Sequence, residues 1–271
     1  MKHNILLAGG SGKTGQRVSQ RLQENGIPHR IGSRKSNPSF DWYDPATWPE
    51  ALQDISQVYI CFQPDLAVPG ASEIIAEFAR QMKAAGVEHA VLLSGRGEKE
   101  AENCEEVLQA SGIDWTILRA SWFMQNFSEG FLAGSLASGI LELPEGLARE
   151  PFVDAEDLAD AVVEVLLHKT HHLKTWSLTG PELLHFRDAT AIITNITRQP
   201  IRYHDISMEA FRGQLEAAGL PEDYIQLISY LFSEVLDGRN ESVTQDIQKL
   251  TGHPPRSFES FVRNSLLPVT T

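Results

Sequence analysis

Near its start the chain runs Ile5-Leu6-Leu7-Ala8, breaks into Gly9-Gly10-Ser11-Gly12-Lys13-Thr14-Gly15, and resumes with Val18 and Leu22 at helical spacing before Gly26. A short continuous apolar run suits a strand buried on both faces of a parallel sheet, and strand, glycine turn and helix in succession open a βαβ unit. The alternation continues. Further strands are expected at His29–Ser33, around Phe40-Asp41-Trp42, at Val58–Phe62, Ala90–Ser94, Trp115–Leu118 and Trp176–Thr179. Helices are expected at Thr14–Asn25, Ser72–Ala85, Glu98–Ser111, and after Pro151-Phe152-Val153 with Asp154 or Glu156 as N-cap. Beyond Pro181 the chain reads as mostly helical, with one strand at Ile201–His204. The pattern predicts an α/β protein, a Rossmann-type doubly wound parallel sheet with a smaller, mostly helical C-terminal part. Residues 1–120 and 150–180 would form the nucleotide-binding core, and 121–149 and 181–271 the smaller, substrate-binding part.

Gly9-x-x-Gly12-x-x-Gly15 supplies what a dinucleotide pyrophosphate needs: a tight turn, a backbone bare of Cβ atoms, and the positive end of a helix dipole behind it. A triphosphate-binding P-loop would need glycine five residues before Gly12, and Leu7 stands there. The ribose choice falls at the end of the second strand, where an NAD enzyme carries Asp or Glu. Between Asn25 and Phe40 there is no carboxylate, whereas Arg34 follows the strand directly, flanked by Lys35. A guanidinium there can fork onto a 2′-phosphate, with Lys13 on the glycine turn assisting. The expected cofactor is therefore NADP(H).

Charge and composition exclude other classes. Asp and Glu number 36 against 23 Lys and Arg, a net charge of −13, which opposes nucleic acid or an anionic membrane. There is no run of 18 apolar residues to span a bilayer and no signal peptide pattern. With two cysteines, Cys61 and Cys104, both reading as core, the expectation is a cytoplasmic protein acting on a small hydrophobic molecule. Its oligomeric state is not legible.

Short-chain reductases commonly pair a tyrosine acid with a lysine four residues later. Four positions after the five tyrosines stand Thr47, Gln63, Ser207, Ile228 and Glu234, so that pair is missing. Ser94, at the carboxyl end of its strand, is the positional candidate for the catalytic residue and a cofactor neighbour; a loop-initiating serine bonded to backbone is the competing reading. Phe62 and Gln63 close another strand on the same side and are expected beside the cofactor. Trp122, Phe123 and Asn126 follow the sixth strand, where part of an aromatic cluster can wall a pocket for a flat, apolar substrate. No metal site is expected: His168, His171 and His172 have helical spacing but no Cys or acidic cluster beside them.

These residues resemble the NmrA-like group of atypical short-chain dehydrogenases. The resemblance rests on the glycine turn, Ser33-Arg34, the segment Ser111 to Arg119, Asn126, and Phe152-Val153-Asp154 followed by Asp157. Within that group the chain is most similar to the fungal festuclavine and agroclavine dehydrogenases. It shares with them Phe40-Asp41-Trp42, Leu92-Leu93-Ser94, Trp122 to Ser128 and Gly180-Pro181-x-Leu183-Leu184. The resemblance implies cofactor contacts at the glycine turn, Arg34 and Asp41. It also implies an NADPH-dependent reductase delivering hydride to an iminium or similarly polarised bond. An iminium already carries positive charge, which makes the missing acid intelligible. The group also contains NADP(H)-binding redox sensors that act without turnover. Where relatives carry His or Lys early in the helix after the fifth strand, this chain has Glu98, Glu100, Ala101 and Glu102, a departure that puts an acid/base role there in doubt.

Overall fold

The computed structural model describes residues 4–267; the Met1–His3 start of the stretch searched above for a signal peptide lies outside them. In chain order the elements are β1 (Ile5–Ala8), α1 (Lys13–Glu24), β2 (His29–Gly32), α2 (Trp48–Ala51), β3 (Gln57–Ile60), α3 (Ala71–Ala84), β4 (His89–Gly95), α4 (Lys99–Gln109) and β5 (Asp114–Ala120). They continue with α5 (Leu132–Ser138), β6 (Ile140–Pro144), α6 (Ala155–Leu167), β7 (Lys174–Leu178), α7 (Phe186–Thr197), β8 (Arg202–Ile206), α8 (Met208–Ala217), α9 (Glu222–Tyr230), α10 (Asp246–Thr251) and α11 (Phe258–Ser265). The chain divides into two compact units. The first takes the chain up to Ala120, Ala155–Leu178 and Asp246–His253; the second takes Ser121–Asp154, Thr179–Gln245 and the chain from Pro254 onward.

The first unit is a Rossmann-type doubly wound sheet of order β2-β1-β3-β4-β5-β7. All its pairings are parallel, with Ile5 registered against His29 on one side and Gln57 on the other. Because β1 is central, all four of its residues are buried, as its unbroken apolar run demands. Strand order reverses between β1 and β3, so a ligand crevice is expected beyond their carboxyl ends. On one face Leu6, Val58, Ile60 and Leu92 share a core with Phe78 and Met82 of α3 and Cys104 and Leu108 of α4. Elsewhere α1 is joined to α6 by Arg17–Glu156 at 2.7 Å and Arg21–Asp160 at 2.8 Å. Glu156 therefore serves as a salt-bridge partner in the first turn of α6, and Asp154 is the residue just before that helix.

The strand expected around Phe40-Asp41-Trp42 is instead a turn. Asp41 N–H donates to Thr47 Oγ1 at 3.0 Å, its carbonyl accepts from the Trp48 indole at 2.7 Å, and its carboxylate accepts from Tyr43 N–H at 3.0 Å. The backbone is thus largely satisfied without a ladder. Phe40 and Trp42 point together into an aromatic cluster with Trp48, Phe62 and Phe78, and two such anchors around an aspartate mimic strand alternation. The strand expected to reach Phe62 also ends early, at Ile60.

In the second unit β6 and β8 form a two-stranded parallel sheet. The Ile201–His204 expectation corresponds to β8; β6 was not expected, although Leu141 and Leu143 are buried in alternation with exposed Ile140 and half-buried Glu142. Its core gathers Phe127, Phe152, Phe186 and Phe258. Helix α10 belongs to the first unit, where Asp246 accepts from Ser177 N–H at 3.1 Å.

At the opposite end of the first unit's sheet, His89 is buried beside Thr116, its Nε2 2.9 Å from the Thr116 hydroxyl, and stacks on His172 with centroids 3.7 Å apart. Burial, with His172 and Lys169 adding repulsion against the opposing pull of Asp114, holds its pKa down to about 3. The folded protein refuses a proton that the unfolded chain accepts near the ordinary histidine value. Stability from this site is complete above that value and falls with pH toward 3, by at most about 1.4 kcal/mol per pH unit. Denaturant titrations between pH 7 and 4 should show His89→Gln with a shallower acid slope than the parent. Equal slopes would mean that His89 does not resist protonation.

Candidate functional site

The turn after β1 is stitched to the ends of its neighbouring strands. Gly9 and Gly10 N–H both donate to Gly32 O, at 3.1 and 3.2 Å, and Gly12 N–H donates to Gly9 O at 3.0 Å. Gly9 has φ +85°, and a Cβ there would lie 2.1 Å from the Cys61 carbonyl oxygen; one at Gly15 would lie 2.5 Å from Gly10 Cα. Both glycines are demanded by the fold. Gly12 differs, because the nearest obstacle to a Cβ is the end of the Gln63 side chain, at 2.7 Å. Glycine at that position leaves the backbone bare on the ligand side. Helix α1 begins next, with no acidic residue in its first turn, so its dipole and first-turn N–H groups are available to an anion. This is a cradle that a pyrophosphate fits.

Ser11 is exposed at the tip of the turn and Lys13 is half-buried. Thr14 is 1% exposed; its hydroxyl accepts from Tyr59 at 2.9 Å and donates to Cys61 Sγ at 3.5 Å. Thr14 can therefore meet a ligand through its backbone, while its side chain braces the turn on β3. Burial, ahead of smaller charge and hydrogen-bond effects, pushes the Tyr59 hydroxyl and the Cys61 thiol above their ordinary pKa values.

Arg34 and Lys35 are exposed just past β2. Their loop is shaped by Ser36, whose hydroxyl meets the Ser33 and Pro38 carbonyls and accepts from Ser33 N–H at 3.0 Å. Among the described residues neither cation has a carboxylate partner. Asp41 contributes the local turn described above. Phe62 is buried against Trp42, with ring centroids 5.1 Å apart, whereas Gln63 is exposed and its carbonyl accepts from Tyr43 OH at 3.3 Å. Phe62 thus shapes the loop, and Gln63 presents its side chain over Gly12.

Ser94 is not a free hydroxyl. Only 4% exposed, it donates to Glu105 Oε1 at 2.6 Å. Glu105 in turn receives Arg119 Nε at 2.9 Å and Nη2 at 2.6 Å. Ser94, the positional candidate for a catalytic residue, thus has its hydroxyl hydrogen directed at a buried carboxylate and its oxygen left as an acceptor. The hydrogen bond that Arg119 donates to Glu105, ahead of the opposing effect of burial, raises the Arg119 pKa above its ordinary value. Sequence reading missed Glu105, because an acidic residue on an amphipathic helix reads as solvent-facing.

Among the described residues Asp157, Asp160 and His253 bring one potential metal-ligating atom each within 4.8 Å. Arg21 already neutralises Asp160 at 2.8 Å. His168 and His171 both meet Glu164, at 2.9 and 3.3 Å.

In the second unit Trp122 and Phe123 are half-buried. Trp122 packs edge-on against Phe232 and Phe186, at 5.0 and 5.7 Å between centroids, while Phe123 bridges Val153. Asn126 is half-buried, its N–H donating to Phe123 O at 3.0 Å. Phe127 lies in the core beneath them.

Residues 9–169 match the family described as NAD(P)H-binding. Prestalk A differentiation protein A of Dictyostelium discoideum is 27% identical, covering 97% of this chain and 93% of that protein. The agroclavine dehydrogenase of Claviceps fusiformis is 30% identical, covering 96% of each. The triphenylmethane reductase of Citrobacter sp., solved in complex with NADP(H), superposes with a TM-score of 0.77 at 19% identity, over 97% of this chain and 99% of that one.

The glycines have separable roles. Gly9→Ala should lower stability by about 1–3 kcal/mol in thermal or denaturant melts, since it strains the backbone and clashes with β3. Gly12→Ala should melt near the parent temperature yet lose most nucleotide affinity by calorimetry. Unchanged affinity in Gly12→Ala would show that the ligand does not approach this backbone.

Proposed function

The chain belongs to the NAD(P)H-binding family of oxidoreductases, and from that premise we propose that it is an NADPH-dependent reductase of a hydrophobic cyclic substrate whose acceptor is an iminium C=N or an activated C=C bond. The observation that carries this reading is the commitment of the Ser94 hydroxyl hydrogen to Glu105 in a chain without the tyrosine–lysine pair. Reduction of a carbonyl needs a proton as negative charge grows on oxygen. An electrophile that is already cationic does not, so this site suits it.

Each residue then has a physical task. The first-turn N–H groups of α1 and the bare backbone at Gly12 hold the pyrophosphate, with Gly10, Ser11 and Lys13 around them. Arg34, with Lys13 and Lys35, takes the 2′-phosphate through charge-assisted bonds. Gln63 covers the turn, and Asp41 and Phe62 support the loops that frame it. When bound, NADPH supplies the hydride from its dihydronicotinamide ring. Trp122, Phe123 and Asn126 are assigned to the substrate, their half-buried side chains offering apolar and amide contacts. The net charge of −13 favours a cationic substrate in the approach. A second reading, an NADP(H)-sensing regulator without turnover, draws on the relative named as a differentiation protein.

Charge-assisted hydrogen bonds contribute roughly 1.5–3 kcal/mol, so Arg34→Ala should weaken NADPH about 10- to 100-fold and leave NADH nearly unchanged in calorimetric titration. Equal losses for both would show that Arg34 does not read the phosphate. In a panel of cyclic iminium ions, enones and quinones, NADPH absorbance at 340 nm should fall fastest with a cyclic iminium. The apparent KM should rise with ionic strength as attraction is screened. Turnover of neutral quinones alone, without salt dependence, would contradict the iminium assignment. A silent panel together with nucleotide-dependent capture of a protein partner would favour the regulator.

A further inference from the structure

Ser94 is the penultimate residue of β4, at the carboxyl end of the sheet. Its oxygen carries one hydrogen and two lone pairs, and the hydrogen goes to Glu105 Oε1 at 2.6 Å. The Glu105 side chain is 3% exposed and Arg119 is fixed on it by Nε at 2.9 and 3.0 Å and by Nη2 at 2.6 Å. A second carboxylate, Glu102, stands 3.6 Å from Arg119 Nη1. Paired with a guanidinium on one side, Glu105 can only accept from the serine on the other. It locks the hydroxyl in one rotation and polarises its oxygen as an acceptor. Apolar residues could join β4, α4 and β5 without the penalty of desolvating the Glu105 carboxylate, so what this half-buried pair specifically adds is the orientation of one hydroxyl.

We infer that Glu105 and Arg119 are positioning residues that fix Ser94 as a hydrogen-bond acceptor for a donor on the nicotinamide-riboside half of the cofactor, the carboxamide N–H or a ribose O–H. The inference rests on the NADPH reading above and assigns Ser94 the opposite polarity to a catalytic acid. It follows from the direction of the Ser94–Glu105 hydrogen bond and from the place of Ser94 at the carboxyl end of β4, the strand adjoining β3, on the side where ligands of such sheets bind.

The test compares NADPH with 2′,5′-ADP, which keeps the adenosine half and its 2′-phosphate but lacks the nicotinamide riboside. In calorimetric titrations Ser94→Ala should weaken NADPH about 3- to 10-fold, the range of one neutral hydrogen bond, and leave 2′,5′-ADP within about twofold. Ser94→Thr, which keeps the hydroxyl, should retain the parent affinity. Glu105→Gln, which no longer forces the hydroxyl to donate, should show a loss confined to NADPH, provided its melting curve remains cooperative. The 3-acetylpyridine analogue of the reduced cofactor lacks the carboxamide N–H. If its affinity is insensitive to Ser94→Ala, the donor is the carboxamide; if it loses affinity as NADPH does, the donor is the ribose. Equal losses for NADPH and 2′,5′-ADP in Ser94→Ala, or no loss for either, would overturn the inference. Failure of the parent protein to bind either ligand would instead overturn the NADPH reading.

Discussion

The seat of the glycine turn between two strand ends is the contact on which the rest of the nucleotide site depends. Gly32 O takes two turn N–H groups from the β2 side, while Gly9 approaches the Cys61 carbonyl so closely on the β3 side that no side chain fits. These contacts fix where α1 begins and therefore where its dipole points. They also set the loop after β2, with Arg34 and Lys35, and the loop after β3, with Gln63, next to the same turn. Tyr59, Thr14 and Cys61 underpin it with side-chain hydrogen bonds, the one from Tyr59 to Thr14 buried.

A second device operates one strand further along. The Ser94–Glu105–Arg119 chain joins β4, α4 and β5 through charged groups in a mostly apolar interior. In the proposed reading, together with the missing tyrosine–lysine pair, it serves to orient a cofactor and not to donate a proton. That assignment is what supports the proposal of an electrophile already carrying its charge, and the surplus of carboxylates over the whole chain favours the same kind of substrate at longer range.

Much of the first unit was legible because its signals are local. The run Ile5–Ala8, the glycine spacing, and Val18 and Leu22 specify strand, turn and helix within two dozen residues. The absence of a carboxylate between Asn25 and Phe40 is equally plain. Where tertiary contacts decide, the sequence misleads. Phe40 and Trp42 alternate like a strand because both fill an aromatic cluster, yet the Thr47 hydroxyl and the Trp48 indole satisfy the backbone between them. Glu105 looks like part of a solvated helix face until β5 brings Arg119 against it. Helix α10 joins the first unit through a contact 69 residues distant in sequence, Ser177 to Asp246, which no local pattern announces. Thr14 lies inside the glycine motif and its backbone obeys the motif, but its side chain answers to Tyr59.

Of the two acceptors proposed, the iminium C=N carbon is the one the Ser94–Glu105 geometry favours most, and the central claim is that hydride passes from NADPH to it. Its most direct test is a single-turnover reaction of the protein with a preformed cyclic iminium ion and NADPH bearing deuterium at both C4 positions, analysed by mass spectrometry. The account predicts an amine product with one deuterium, on the former iminium carbon, and one equivalent of NADP+. An amine without deuterium, or no amine while a ketone of similar shape is reduced under the same conditions, would contradict it.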